Sequence, residues 1–299
     1  MSRVRKVVFP VAGLGTRMLP ATKVLPKEML PVVDRPIIQY ALEEAVASGI
    51  EEFVFVTGRG KTILEDHFDR APELFEALER KSKATELELL AAGVPAAGPV
   101  VYTRQQEPKG LGHAVWCARD IVGDEPFAVC LVDDLIQGEV PCLRQMIEAH
   151  QRTGGNIVAV MEVPPEQTSR YGVITPGASE RGLTEVKGLV EKPRPEDAPS
   201  RLAVIGRYIL LPEVMDHLAE QRVGTGGEIQ LTDAMARLIG RTPFHGLSFE
   251  GRRFDCGDKL GYLEAIVAMA SARADLQPGF KNMLRQYVNG APRAVGGGR

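Results

Sequence analysis

Short β-branched and aromatic runs alternate with segments of helical periodicity along the first half of this chain. The strand-like runs are KVVFPV, EFVFVTG, VVYTRQ, PFAVCLVDD and NIVAVMEV, and helical patterns such as IIQYALEEAVASGI and CLRQMIEAHQRTGG lie between them. Strands that alternate with helices pair in parallel, because a helix carries the chain back to the end where the previous strand began. The chain is therefore predicted to be an α/β protein with a Rossmann-like, mostly parallel central sheet and helices on both faces.

The pattern changes from Tyr171 onward. Short runs separated by glycine and proline turns, namely YGVI, LTEVKGLVEKP and LAVIGRYIL, predict a mixed sheet with antiparallel additions in the C-terminal half. A charged segment at 59–98 is interpreted as a helical insertion, and EIQLTDAMARLIG and KLGYLEAIVAMASARADL indicate a helical region at 228–290. Because neither an internal repeat nor a linker divides the chain, we expect one domain at 1–290 and a flexible tail at 291–299.

The composition is that of a globular protein without a strongly charged surface. Hydrophobic residues make up 44% and charged residues 25%, and the net charge of −3 argues against bulk electrostatic binding to nucleic acid or anionic lipid. The cysteines form no C-x-x-C pair, so we expect reduced thiols rather than a zinc site. The N-terminal apolar run Val7–Ala12 is too short for a signal segment or a membrane span. We therefore expect a cytoplasmic protein that binds neither nucleic acid nor membranes.

The segment AGLGTRMLPATKVLPKEMLP, which follows the first strand, is rich in glycine but lacks two common nucleotide-binding patterns. The G-x-G-x-x-G pattern needs a third glycine where Met18 stands, and no acidic residue ends the second strand, where Thr57 and Gly58 stand. The Walker A pattern is absent from this segment as well. These departures argue against a nicotinamide-dependent oxidoreductase.

The same segment has the composition of a different phosphate-binding loop. Its glycines allow backbone N–H groups to approach a phosphate closely, and its prolines reduce the entropy lost when the loop orders. Arg17 offers a planar fork for phosphate oxygens and Lys27 a point charge, whereas Lys23 is a weaker candidate. Segment 105–112 and Asp133 also follow predicted strands, and open α/β sheets bind ligands beyond the carboxyl ends of their strands. A phosphate-bearing ligand is therefore predicted at this edge of the sheet.

This loop and a series of later motifs resemble the nucleotidyltransferases that make nucleotide sugars. The later motifs are KGLGHAVWCA, YGVI, VEKPRP, GRYIL, GEIQLTDA and DCGDKLGY, so the resemblance covers nearly the whole chain. It is strongest to the bacterial UTP–glucose-1-phosphate uridylyltransferases, also called UDP-glucose pyrophosphorylases. The resemblance implies transfer of a uridylyl group from UTP to α-D-glucose 1-phosphate by Mg²⁺-assisted in-line displacement at the α-phosphorus. The attacking phosphate oxygen is ionised at neutral pH, so no general base is expected.

The resemblance also implies which residues act on the phosphates. Arg17 and Lys27 are the candidates for the triphosphate and the departing pyrophosphate, and Lys192 in VEKPRP is the candidate for the sugar phosphate. Asp133 suits Mg²⁺, which binds few protein ligands together with phosphate oxygens and water. Asp255 in FDCGDK resembles a second metal-side aspartate of related thymidylyltransferases, although a turn residue bonded to nearby backbone explains it equally well.

Base and sugar recognition are implied for a further set of residues. The amide of Gln105 resembles a reader of the pyrimidine edge, a role that passes to Gln106 if the register is shifted by one residue. Glu191 resembles an acceptor for sugar hydroxyls, with Gly172 offering backbone groups to the sugar; a bend before Pro193 would let Glu191 and its neighbour line one pocket. The remaining nucleotide-binding candidates are Ala12, Gly13, Gly15 and Gly110.

Two alternatives to this function remain open at the level of sequence. A thymidylyl- or other nucleotidyltransferase acting on a sugar 1-phosphate differs only in its pocket for the base or the sugar. A non-catalytic nucleotide-sugar sensor is expected to lack at least one of the candidate catalytic residues, and all four of them are present, namely Arg17, Lys27, Asp133 and Lys192. Because relatives are commonly dimers or tetramers, a homodimer or homotetramer is expected, with the helices after Gly227 and Gly257 as candidate contact surfaces.

Overall fold

A nine-stranded mixed sheet forms the centre of the computed structural model, which describes residues 3–92 and 99–290. Within those residues the strands are β1 (Lys6–Pro10), β2 (Pro31–Val32), β3 (Arg35–Pro36), β4 (Glu52–Thr57), β5 (Val100–Arg104), β6 (Phe127–Cys130), β7 (Asp134–Gln137), β8 (Asn156–Glu162), β9 (Gly172–Glu180), β10 (Leu183–Glu191), β11 (Leu202–Leu210), β12 (Phe244–Ser248) and β13 (Arg252–Asp255). The helices are α1 (Ile37–Ala47), α2 (Thr62–Phe68), α3 (Pro72–Arg80), α4 (Ala84–Ala92), α5 (Leu111–Trp116), α6 (Arg119–Val122), α7 (Cys142–Thr153), α8 (Val214–Ala219), α9 (Leu231–Ala236), α10 (Lys259–Ala272) and α11 (Gly279–Asn289). The order across the central sheet is β5-β4-β1-β6-β11-β8-β12-β10-β9.

Strands β5, β4, β1 and β6 pair in parallel and form one half of this sheet. Their central residues, for example Phe53, Val54 and Phe55, are fully buried because the sheet is covered on both faces. The other half is mixed: β11 is antiparallel to β6 and β8, β10 is antiparallel to β12 and β9, and β8 is parallel to β12. The predicted α/β class and the mixed character of the sheet are confirmed.

The position of β11 differs from the expectation. Its sequence LAVIGRYIL was expected to extend the sheet, but the strand lies in the middle, between β6 and β8. The sheet therefore contains more antiparallel pairs than the alternation of strands and helices suggested. Tight turns, such as the one between β9 and β10, join antiparallel strands. The order of strands in a sheet depends on long-range packing, which the local periodicity of a sequence does not reveal.

Two apolar layers pack on opposite faces of the sheet. Alternate residues of β1 enter different layers: Val7 and Phe9 contact the layer that contains α1 and α7, whereas Val8 contacts the layer that contains α5, α8 and α9. This arrangement leaves the carboxyl ends of β1, β5 and β6 free for the loops that carry the predicted site residues.

Two regions predicted as helical differ in their content. Segment 59–98 contains α2, α3 and α4 as far as it is described, and residues 93–98 lie outside the described residues. Region 228–290 is not entirely helical, because β12 and β13 lie within it. The alternating pattern of β12 is only five residues long and includes a glycine, so it is too short to be detected. The predicted tail at 291–299 also lies outside the described residues.

A separate two-stranded sheet connects β13 to the predicted site. β13 pairs with β7 in antiparallel register, with Asp255 opposite Asp134, and Cys256 N donates a hydrogen bond to Asp133 O at 2.7 Å. The segment after β13 is thereby placed against the carboxyl end of β6. Among the described residues, no helix combines the length and apolar character that a membrane span requires.

Candidate active site

The loop that follows β1 folds into short 3₁₀ turns, which are Thr16–Met18, Ala21–Lys23 and Lys27–Met29. The prolines between them account for this, because a proline lacks the N–H that a continuous helix needs. Thr22 Oγ1 donates a hydrogen bond to Gly15 O at 2.7 Å, which closes the loop on itself. The result is a compact, non-helical loop in which Arg17 is exposed and Lys27 is half-buried.

Lys27 and Asp133 form the central ion pair of the site. Asp133 follows β6, and its Oδ2 lies 2.6 Å from Lys27 Nζ. Burial lowers the pKa of Lys27, but the carboxylates of Asp133 and Glu28 raise it by more, so the pKa lies above its ordinary value. Burial raises the pKa of Asp133, and Lys27 outweighs that effect, so the pKa of this carboxyl group is lowered. Both groups are therefore charged at neutral pH.

Arg17, Asp133 and Asp255 converge on Gly257, where a larger residue would not fit. A β-carbon added to Gly257 would lie 2.8 Å from Arg17 Nη2 and 2.9 Å from both Asp133 Oδ2 and Asp255 Oδ1. The two carboxylate oxygens are thus separated by no more than twice that second distance. Lys27, Arg17 and Gly257 also line a small cavity of about 110 Å³. The structure therefore brings four of the predicted site residues to one place.

Asp255 combines both interpretations that the sequence left open. Its Oδ1 accepts a hydrogen bond from Gly257 N at 3.0 Å, as a turn residue does. Its Oδ2 lies 3.1 Å from Arg170 Nη2 and 3.6 Å from Arg253 Nη2. The same carboxylate faces Asp133 across the position of Gly257, so it also lies within reach of an ion that Asp133 binds.

Asp134 is adjacent to Asp133 in sequence but is bonded to other partners. Its Oδ2 accepts a hydrogen bond from Gly206 N at 2.7 Å, and its Oδ1 accepts one from Arg253 Nε at 2.6 Å. Burial raises the pKa of this carboxyl group, which Arg253 partly opposes. Asp134 therefore ties β7 to β11 and β13, and it leaves Asp133 as the carboxylate that faces the loop after β1.

The donor atoms around Gly257 suit a hard divalent cation. Asp133 and Asp255 supply carboxylate oxygens, whereas burial raises the pKa of the nearby Cys256 to about 12 and keeps that thiol protonated. Within residues 3–92 and 99–290, no group of three or more His, Cys, Asp or Glu side chains is arranged to hold a metal ion. An ion here would have two protein ligands at most and would take its remaining oxygens from phosphates and water, as Mg²⁺ does.

A cavity of about 520 Å³ opens next to this cluster and is lined by the residues predicted for the sugar phosphate. Glu191 Oε2 accepts a hydrogen bond from Thr232 Oγ1 at 2.7 Å, and Glu191 Oε1 lies 3.2 Å from Lys192 Nζ. Gly172 pairs with Glu191 across β9 and β10. Lys192 has a positive φ of 47°, and this bend lets Glu191 and Lys192 line the same cavity, as the sequence analysis required.

A second cavity, of about 290 Å³, is lined by the predicted nucleotide residues Ala12, Gly13 and Gln105. Gln105 is buried, and its Nε2 donates a hydrogen bond to Gly110 O at 3.0 Å and contacts His113 Nδ1 at 3.0 Å. Burial lowers the pKa of His113, so its neutral ring can accept from this amide. Gln106 is exposed and lines the same cavity, so the choice between Gln105 and Gln106 as the reader of the base stays a prediction.

Gly110 joins two motifs that are far apart in sequence. It has a φ of 104°, and an added β-carbon would lie 2.7 Å from Glu228 Cβ. Ile229 N donates to Lys109 O at 2.7 Å, and Gly112 N donates to Ile229 O at 2.8 Å. The KGLGHA and GEIQLTDA segments are thus in direct backbone contact.

Sequence reasoning missed the residues that hold the predicted ones in place. Thr232 fixes Glu191 from 41 positions away, and Arg253 fixes Asp134 from 119 positions away. Local periodicity does not identify such partners. The one available signal was that Thr232 lies within the GEIQLTDA motif. A larger open groove of about 910 Å³ lies near the end of α7, and none of the predicted site residues lines it.

Comparison with known proteins agrees with this arrangement. Residues 6–272 match the family model described as nucleotidyl transferase. The chain is 51% identical over 277 residues to the UTP–glucose-1-phosphate uridylyltransferase of Bacillus subtilis (strain 168), which covers 93% of this chain and 94% of that protein. Among solved structures it is similar to a UTP-bound UGPase from Acinetobacter baumannii, with 40% identity, a TM-score of 0.88 and coverage of 94% and 98% of the two chains.

It is also similar to a UDP-glucose pyrophosphorylase solved in complex with UDP-glucose, with 45% identity and a TM-score of 0.80, covering 90% of this chain and 100% of that chain. These matches span nearly the full length of the chain. The chain therefore belongs to the nucleotidyl transferase family, within the branch of the bacterial UTP–glucose-1-phosphate uridylyltransferases.

Proposed function

We propose that this protein transfers a uridylyl group from UTP to α-D-glucose 1-phosphate and releases pyrophosphate, with UDP-glucose as the product. The observation that carries this proposal is the convergence of Arg17, Asp133 and Asp255 on Gly257, between the loop after β1 and the 520 Å³ cavity. A cluster of fixed cations and carboxylates beside two separate cavities suits a reaction between two phosphate-bearing molecules. The names of the similar proteins agree with this substrate pair.

The reaction needs no proton transfer by the protein. An oxygen of the sugar phosphate forms a bond to the α-phosphorus of UTP, while the bond from that phosphorus to the bridging oxygen breaks and pyrophosphate departs with the electron pair. Arg17 would bind phosphate oxygens through its planar fork, and Lys27 would balance charge on the leaving pyrophosphate. Catalysis then follows from alignment of the two reactants and from fixed positive charge.

We infer that Asp133 and Asp255 hold Mg²⁺ when the substrates bind. The ion would neutralise phosphate charge and polarise the α-phosphorus. Lys27 would exchange part of its contact with Asp133 for phosphate oxygens. Arg170 and Arg253, which contact Asp255, would keep that carboxylate oriented.

Base and sugar recognition are assigned to opposite cavities. Because Nε2 of Gln105 is bonded to Gly110 and His113, its carboxamide oxygen is the atom we assign to the N3–H of uracil. Backbone groups of Ala12, Gly13 and Gly15 would approach the nucleotide. In the other cavity, Glu191 would accept hydrogen bonds from sugar hydroxyls, Lys192 would bind the sugar phosphate, and Gly172 would offer backbone groups.

We further infer that residues 1–290 form one nucleotidyltransferase domain, because a single sheet crosses both halves. The parallel half, with β5, β4, β1 and β6, would be its Rossmann-like, nucleotide-binding part. Use of UTP and the presence of free cysteines only are compatible with a cytoplasmic enzyme.

An activity matrix tests the proposal. Purified protein is assayed for pyrophosphate release with UTP, dTTP or CTP against glucose, galactose or mannose 1-phosphate, with Mg²⁺ or with a chelator. We expect the highest kcat/KM for UTP with glucose 1-phosphate and no turnover with the chelator. A preference for dTTP would assign the protein to thymidylyl transfer, and the absence of turnover with every pair would refute a catalytic role.

A further inference from the structure

Lys61 is a buried cation that has no part in the function proposed above. It lies between β4 and α2 and is only 6% exposed. Its Nζ donates hydrogen bonds to Gly13 O at 2.8 Å and to Glu28 Oε2 at 2.9 Å. Gly13 and Glu28 stand near the two ends of the loop that carries Arg17 and Lys27. One ammonium group therefore joins both ends of this loop to the carboxyl end of β4.

The charge of Lys61 also affects its neighbour Lys27. Glu28 is 1% exposed, and its Oε1 accepts no hydrogen bond from any described residue. A buried carboxylate of this kind is costly unless a cation balances it. Lys27, which precedes Glu28, is the other cation that interacts with this carboxylate. Without Lys61, the carboxylate of Glu28 would draw Lys27 toward itself and away from Asp133.

We propose that Lys61 is a positioning residue for the nucleotide: it holds the Gly13 carbonyl in place and balances Glu28, so that Lys27 stays directed at Asp133 and the triphosphate. The inference rests on the proposed uridylyl transfer, since it assigns the loop to UTP. Lys61 also lines the 290 Å³ cavity, but its ammonium group is bonded to Gly13 O and Glu28 Oε2, so it differs from the loop cations in acting on the ligand through these residues.

Kinetics of the Lys61→Met variant test this role. Loss of the ammonium group should raise the KM for UTP by about tenfold, because a displaced loop weakens charge-assisted contacts to the triphosphate. The KM for glucose 1-phosphate at saturating UTP should stay within about threefold of the wild-type value, because Glu191 and Lys192 lie in the other cavity. Calorimetric titration of UTP in the absence of the sugar phosphate should show a dissociation constant raised by a similar factor.

Lys6 provides a matched control. Its side chain is largely buried, and its Nζ donates to Ile121 O and Val122 O at 3.0 Å each, but it lies at the opposite end of β1 from the loop. Lys6→Met should lower the free energy of unfolding without a selective change in the KM for UTP. If Lys61→Met behaves like Lys6→Met, the role of Lys61 is purely structural and the proposal is overturned.

A double variant separates the two actions of Lys61. In Glu28→Gln with Lys61→Met the buried charge is gone, so Lys27 is no longer drawn away, and part of the UTP affinity lost in Lys61→Met should return. If the KM for UTP of the double variant is not lower than that of Lys61→Met, the charge-balancing action is overturned. If Lys61→Met alone does not fold, the double variant is compared with Lys6→Met instead. It still lacks the hydrogen bond to Gly13 O, so its KM for UTP should stay higher, and equal KM values overturn the proposal. Wild-type protein inactive on UTP and glucose 1-phosphate would instead refute the proposed function.

Discussion

The backbone of Lys192 shows how two adjacent residues come to line one cavity. Glu191 ends β10, and neighbouring side chains in a strand point to opposite faces. Lys192 instead has a φ of 47°, in the left-handed region, which costs a residue other than glycine about 1–2 kcal/mol. Its N–H donates to Tyr171 O at 3.0 Å, and this bond holds the turn. Backbone strain is thus located where the sugar phosphate is proposed to bind.

Substitution of Lys192 separates this strain from its charge. Lys192→Ala and Lys192→Gly both remove the ammonium group, and each should raise the KM for glucose 1-phosphate by about tenfold through loss of a charge-assisted contact. Lys192→Gly should be more stable than Lys192→Ala by about 1 kcal/mol in urea unfolding, because glycine adopts a positive φ freely. An unchanged KM for the sugar phosphate would remove Lys192 from that site, and equal stabilities would contradict the strain.

Asp133 is the residue on which we expect catalysis to depend most. Asp133→Asn removes the proposed metal ligand and the partner of Lys27, so kcat should fall by about 100-fold or more at any Mg²⁺ concentration. Asp134→Asn is the neighbouring control, because Asp134 is bonded to Gly206 and Arg253. That variant should lose stability and still show a Mg²⁺-dependent rate. Near-wild-type kcat in Asp133→Asn at saturating Mg²⁺ would refute the assignment.

At the residue scale, the sequence identified the groups that carry charge at the site but not the groups that orient them. Arg17, Lys27 and Asp133 are recognisable because each follows a strand within a distinctive motif. In the structure, His113 contacts the amide of Gln105 and helps to orient it. Such a contact depends on where β5 and α5 meet, which no local pattern specifies.

At the scale of elements, Glu220 links the ends of α8 and α9. Its carboxylate lies 2.7 Å from Arg222 Nε and 2.6 Å from Arg237 Nη2. Hydrogen bonds from Arg237, followed by the charges of Arg222 and Arg237, lower the pKa of Glu220 to about 2. Since α9 carries Thr232, this link supports the element that fixes Glu191 in the sugar cavity.

The link predicts a pH-dependent contribution to stability. The folded-state pKa of Glu220 is below its ordinary value of 4.5, so its contribution is present above pH 4.5 and is lost as the pH falls toward about 2. Wild-type protein should be slightly more stable than Glu220→Gln in urea at pH 7, and the difference should shrink below pH 4.5. A constant difference for Glu220→Gln across this pH range would contradict the link.

The elements themselves were predicted unevenly. The five strands of the first half were recognisable because continuous apolar runs such as Phe53–Val56 are buried on both faces. β12 was missed because it is short, and the central position of β11 was missed because strand order is set by packing over long distances. The predicted site residues could be located because they follow the best-predicted strands. The carboxyl ends of these strands carry the loop after β1, Gln105 and Asp133.

At the scale of the whole molecule, α10 and α11 carry exposed apolar side chains. Leu260, Leu263 and Val267 are 77%, 57% and 42% exposed and recur at helical spacing along α10, and Tyr287 and Val288 are 69% and 81% exposed on α11. Large exposed apolar patches mark interaction surfaces in soluble proteins. We infer that this face contacts a second copy of the chain in a homodimer or homotetramer.

Light scattering after size-exclusion chromatography tests this surface. Wild-type protein should have a mass that is a multiple of 32.5 kDa, and Leu260→Glu with Leu263→Glu should lower the mass toward that value. Val223 is 68% exposed and lies away from these helices in sequence, so Val223→Glu should leave the mass unchanged. A wild-type monomer, or a double variant of unchanged mass, would show that this face is not the interface.

The central position of β11 limits how the molecule can move. Its hydrogen bonds to β6 on one side and β8 on the other make the parallel half and the mixed half of the sheet continuous. Within the residues that the structure describes, the sheet therefore has no break in its hydrogen bonding about which two lobes could close over the reactants. Entry of UTP and escape of UDP-glucose must instead depend on displacement of surface loops, so the rate of product departure should respond to substitutions in those loops rather than to the stability of the sheet.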